Sequence, residues 1–112
     1  MNKIKDIQIE KIIWLIFIVL SALNIYADTL EEIFFTNNNH QYQKQAKNIF
    51  IFTIIISLTI YIFITYRNYK ELKEAELYNQ DTFFLNIKFF ANILIIIGSI
   101  MILYYQVNED LN

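Results

Sequence analysis

The sequence contains no cysteine and no proline, a single glycine (Gly98) and a single histidine (His40). Without cysteine there is no disulfide, no thiolate zinc site and no thiol nucleophile. Without proline and nearly without glycine, the chain lacks the usual turn-making residues of a small soluble domain. A strong charge of either sign is also missing. Nine Lys and Arg against eleven Asp and Glu leave a net charge of −2, which gives a nucleic-acid partner no electrostatic basis. Catalytic sets are absent as well: there is no H-E-x-x-H, no Gly-rich phosphate loop, no paired histidines and no spaced Ser-His-Asp set. The expectation is a non-enzyme with no cofactor and no metal site.

What the chain has is apolar residues, 56% of its 112 positions, pooled into three blocks. The uncharged runs are Ile12 to Ala27, Asn48 to Tyr66 and Phe89 to Asn108, of 16, 19 and 20 residues. As helices they measure about 24, 28 and 30 Å, against a hydrocarbon core of roughly 30 Å. Their Ile and Phe content would favour strands in water. In lipid an isolated strand leaves its backbone unpaired, and the alternating polarity of a barrel is missing, so helices are expected. The alternative for each block, a buried helix of a soluble bundle, fits runs of 10–14 residues better than these. Lys3 and Lys5 ahead of the first run also suit a signal peptide, but Ile25 is not the small residue expected two positions before a cleavage after Ala27. The sequence thus predicts an all-α integral membrane protein. It forms a single domain, 1–112, of three long antiparallel helices with spans at about 12–27, 48–66 and 89–108.

The connections, 28–47 and 67–88, are polar. Leu30, Ile33 and Phe34 keep helical spacing, so the first helix is expected to run past its span to the turn Asn37-Asn38-Asn39. The second is expected to continue through Leu77 to a turn at Asn79-Gln80-Asp81, with Asp81 or Thr82 capping the third. Lys and Arg count seven on the side holding the N-terminal tail and the second connection, and two on the other. That asymmetry predicts a cytoplasmic N-terminus and an outer C-terminal tail, Glu109-Asp110, in a bacterial plasma membrane.

Polar residues inside apolar helices tend to face other helices. In the first helix Trp14, Phe17, Ser21, Asn24, Asp28 and Glu31 describe one seam by steps of three and four. In the second, Thr53, Ser57, Tyr61 and Thr65 recur every four residues. In the third, Asn92, Ser99 and Gln106 recur every seven beside Ala91, Gly98 and Tyr105, and Gly98 with Ser99 would admit a close helix neighbour. Ser21, Ser57, Ala91, Asn92, Gly98 and Ser99 are therefore expected at helix contacts. Asn24, Asp28 and Gln106 match in depth near the outer face and form the candidate polar site. There Asp28 is either a cation or proton ligand or an ordinary interfacial carboxylate. Arg67-Asn68-Tyr69-Lys70 lies where inner-leaflet headgroups would be, with Glu71, Glu74 and Glu76 diluting its charge.

The plan, together with Leu23-Asn24-Ile25-Tyr26-Ala27-Asp28 and Tyr66-Arg67-Asn68-Tyr69-Lys70, resembles small, uncharacterised three-span proteins of bacterial cell membranes. That resemblance implies a location and no activity. Expected partners are the lipid bilayer and a larger membrane protein, for which the chain would be an accessory or regulatory subunit. The alternatives are self-association into a small transporter or channel, and a holin-like, toxin or immunity protein. Holin-like proteins usually carry a basic tail, and Glu109-Asp110-Leu111-Asn112 departs from that.

Overall fold

A computed structural model describes residues 3–109, so Asp110, Leu111 and Asn112 of the predicted outer tail lie outside the described residues. Three helices account for nearly all of them: α1 (Lys3–Asn37), α2 (His40–Leu77) and α3 (Phe83–Asn108). No strand occurs among the described residues. At 1.5 Å per residue their 35, 38 and 26 residues give lengths of about 52, 57 and 39 Å. All three are long and apolar enough to cross a membrane. The all-α architecture of long antiparallel helices expected from the sequence is therefore found.

Asparagine does the work of the missing glycine at both turns. Asn38 and Asn79 each adopt φ 56°, the left-handed region that asparagine tolerates better than most residues. After α1, the Asn38 N–H donates to the Phe34 carbonyl at 2.6 Å, a single-bond left-handed cap. After α2 the pattern is the two-bond Schellman form. The Gln80 N–H donates to the Ala75 carbonyl (2.9 Å) and the Asn79 N–H to the Glu76 carbonyl (3.1 Å). The following helix starts are capped as well. Asn39 Oδ1 accepts from the Gln41 N–H at 3.0 Å, and Asp81 Oδ1 from the Phe83 N–H at 3.0 Å. Thr82 contributes too, its carbonyl accepting the first helical bond from Asn86 at 2.8 Å.

Two compact units share these helices, and the division falls within α2. The first takes α1, α2 through Thr53 and the end of α3 from Gln106. In it α1 and α2 run antiparallel around a cluster of Ala27, Leu30 and Ala46, with Tyr42, Ile49 and Phe50 packed against it. Both alanines are 0% exposed, because a methyl side chain lets the two backbones approach closely. The second unit, Ile54–Tyr105, pairs α2 with α3. The Tyr69 and Phe89 rings lie 6.0 Å apart, and Glu71 and Lys88 lie 4.0 Å apart, which sets an antiparallel register.

Most apolar side chains face outward. On α1 Ile12, Leu15, Ile18 and Val19 are more than half exposed, and on α3 so are Phe90, Leu94, Met101 and Ile102. α3 has no buried residue at all. Two threonine hydroxyls in α2 are satisfied within the helix: Thr59 donates to the Ile55 carbonyl (2.9 Å) and Thr65 to the Tyr61 carbonyl (2.7 Å). A threonine bonded in this way presents little unmet polarity to an apolar solvent.

Candidate functional site

On α1 the buried positions are Ile13, Leu20, Ala27, Leu30 and Phe34, four of them spaced by seven. A strict seven-residue repeat keeps one stripe on one side of a helix. The polar seam expected from the sequence is thus turned by about one residue. Phe17, Asn24 and Glu31 stand half-buried beside the stripe, whereas Trp14, Ser21 and Asp28 are exposed. The physical reason is size. The close contact falls on Ala27 against Ala46, and the neighbouring position Asp28 then lies about 100° round the helix.

Of the three residues of the candidate polar site, Asn24 is tied across the helix pair. Its Oδ1 lies 2.9 Å from the Thr53 hydroxyl, which also lies 3.0 Å from the Phe50 carbonyl. One hydroxyl proton serves one acceptor at a time, so the interhelical and the intrahelical acceptor compete for Thr53. Thr53 is only 2% exposed, which makes this pair the central polar contact of the first unit. Gln106 is half-buried, and its Oε1 is sealed from solvent with no hydrogen-bond partner; Gln43 Oε1 is in the same condition. Asp28 is exposed and does not join them.

The residue that joins α2 to α3 here is Lys47, which entered the sequence reading only as the boundary of the second run and in the charge count. Its Nζ donates to the carbonyls of Val107 (3.3 Å) and Glu109 (3.0 Å). These lie at the C-terminal end of α3, where carbonyls lack helical partners and the helix dipole is negative. Neither the last turn of α3 nor the residues following it supply a cation. That absence is the one sequence signal pointing to a cap from elsewhere. Lys47→Met, which keeps the stem, is expected to cost about 1 kcal/mol at this helix end. Hydrogen exchange would show it as roughly fivefold faster exchange of the last α3 amides, with α2 amides near Ile56 unchanged.

Glu31, just past the first apolar run, lies close enough to this helix end to feel the charge of Glu109. Its carboxyl is pushed above the ordinary range by burial first, then by the negative charges of Asp28 and Glu109. A raised carboxyl pKa means that folding favours the protonated form. The resulting penalty is absent below the unfolded pKa of about 4.3 and grows as pH rises through the raised value. Glu31→Gln is therefore expected to raise the unfolding midpoint at neutral pH and to leave it unchanged near pH ~3. Equal gains at both pH values would show that the charge is not responsible.

The expected packing residues divide. Ser57, Asn92 and Ser99 are half-buried, while Ala91 is exposed. Gly98 is half-buried, yet a Cβ added there would meet nothing within 4 Å. Among the described residues, the close neighbour anticipated at Gly98 is thus not found. In the second unit Asn68 is only 5% exposed and its Nδ2 has no partner. It shares a stripe with buried Leu72 and Ala75, a spacing visible in the sequence but masked there by the surrounding charges. His40 lies 5.2 Å from the Phe34 ring, and no group of three or more His, Asp or Glu among the described residues could hold a metal ion. In comparisons with known proteins, no family model, no curated sequence and no solved structure matches this chain.

Proposed function

We propose that the chain is a multi-pass protein of the bacterial plasma membrane. In this reading it acts without catalysis, as an accessory or regulatory subunit docked sideways on a larger membrane protein. One observation carries the reading: α3 buries nothing, although averaged over its whole length it is the most apolar of the three helices. Exposed apolar area on this scale is foreign to soluble monomers and ordinary for a helix bathed in lipid. The Gly98 surface is open, which leaves room for a helix from another protein to come close.

The test is purification of the tagged full chain from carbonate-washed membranes in mild detergent, followed by native mass and peptide mass spectrometry. A second membrane protein at fixed stoichiometry is the expected result. A homo-oligomer alone would overturn the accessory role and favour a self-associated channel or transporter. Orientation can be read independently, since the chain has no native cysteine. Thr36→Cys should react with an impermeant maleimide from outside intact cells, and Glu76→Cys should not.

A further inference from the structure

The end of α2 carries three cations in one repeating geometry. The Arg67 guanidinium stands 5.7 Å from the Phe63 ring centre, the Lys70 ammonium 4.8 Å from Tyr66, and the Lys73 ammonium 5.5 Å from Tyr69. Each pair is spaced by four residues, and each cation folds back toward the helix N-terminus, as helical side chains do. The direction matters. The heads of Arg67 and Lys70 are drawn one turn, about 5 Å, toward the apolar run that ends at Tyr66. They come to the level of its last aromatic side chains and do not reach away into water.

On α3 the partner position is Lys88, directly before the run that starts at Phe89 and 4.0 Å from Glu71. From Ile54 to Lys70 and from Thr82 to Tyr105, the only charged residues are Arg67, Lys70 and Lys88. The acids Glu71, Glu74 and Glu76 come later along α2, and one of them, Glu76, is engaged by Lys73 at 3.5 Å. Along α2, Arg67 and Lys70 thus come before every carboxylate, whereas Lys73 lies among the carboxylates and Glu71, the first of them, reaches Lys88. The sequence count, three cations against three acids in this segment, hides that order.

We propose that Arg67, Lys70 and Lys88 form a binding surface for the phosphate of anionic phospholipids, with Phe63 and Tyr66 holding two of the cations at headgroup depth. This rests on the membrane insertion proposed above. Positive charge at the phosphate level attracts acidic lipid; Glu71 offsets part of it beside Lys88, while Glu74 and Glu76 are exposed, where salt screens them. The aromatic rings attract the charged heads of Arg67 and Lys70, which keeps these cations at this depth.

The experiment uses the full chain in nanodiscs of mixed phosphatidylglycerol and phosphatidylcholine, with the lipids retained after detergent release counted by native mass spectrometry. The expected result is enrichment of phosphatidylglycerol on the wild type, reduced about tenfold in the Arg67→Gln/Lys70→Gln/Lys88→Gln variant. Lys3→Gln/Lys5→Gln/Lys11→Gln removes the same charge and should leave most of the enrichment; helical circular dichroism verifies that both variants are folded. Equal retention of the two lipids by the wild type would overturn the proposal while leaving insertion standing. So would an equal loss in the N-terminal variant, since that means diffuse charge and no site. Failure of the wild type to enter nanodiscs would overturn insertion, and this proposal with it.

Discussion

Replacing Leu94, Ile97 and Met101 of α3 with lysine is expected to abolish stable membrane insertion. All three are about half exposed or more, and at spacings of three and four they share one side of the helix. In water, such positions would accept lysine readily, because a solvent-facing apolar residue contributes little to folding and lysine improves solubility. At the centre of a bilayer each lysine costs about 2.5–3.5 kcal/mol on an insertion scale, so three together cost about 8–10 kcal/mol. The measurement is the fraction of tagged chain that stays with membranes after alkaline carbonate extraction. Near-complete loss from the pellet is expected. A soluble, folded triple variant with retained helicity would reverse the assignment, since it would show that water is the natural solvent of that face. Single substitutions should grade with depth, Ile97→Lys costing more than Phe90→Lys near the end of the run.

The second large effect concerns the contact between α1 and α2. Ala27 and Ala46 are wholly buried against one another's helix, with Leu30, Tyr42, Ile49 and Phe50 filling the remaining space. Ala46→Leu places three further carbon atoms where the backbones are closest, and the expected cost is about 1–3 kcal/mol. Separation of the helices would also stretch the Thr53–Asn24 hydrogen bond, which is only 2.9 Å in the structure. Unfolding by a denaturing detergent, followed by helical circular dichroism, should show the midpoint falling in Ala46→Leu and Ala27→Leu. Ala22→Leu, on the exposed side of the same helix, should leave it unchanged. If all three variants behaved alike, the close approach at Ala27 and Ala46 would not exist in the folded chain.

These two effects fall on different helices, α3 for the first and α1 with α2 for the second, and they differ in how far the sequence alone could locate them. The lysine substitutions could be chosen from hydropathy alone, because nearly every position of α3 is apolar. The alanine pair could not. Periodicity fixes the angle between residues on a helix but not which direction points inward, and α1 is apolar almost all round. The seam of Trp14, Phe17, Ser21, Asn24, Asp28 and Glu31 gave the first estimate of that direction, and half of it, Trp14, Ser21 and Asp28, is exposed. The packing instead turned the inner face to Ile13, Leu20, Ala27 and Phe34, where a small residue permits the closest contact.

The sequence by itself determined the three helices, their approximate ends and both turns. Those features are local: runs of uncharged residues, asparagines that accept positive φ, and capping side chains two residues before the amides they serve. Only the tertiary structure decided that Lys47 closes the end of α3, 60 and 62 residues away, and that Asn68 is buried among charged neighbours. It also decided that Arg67 and Lys70 fold back over aromatic rings while Gly98 faces open space. Each of these depends on where side chains from distant segments, or from the preceding turn, come to rest. Local propensity carries no information about such placements, because they follow from the partner's surface and not from the residue's own neighbours in the chain.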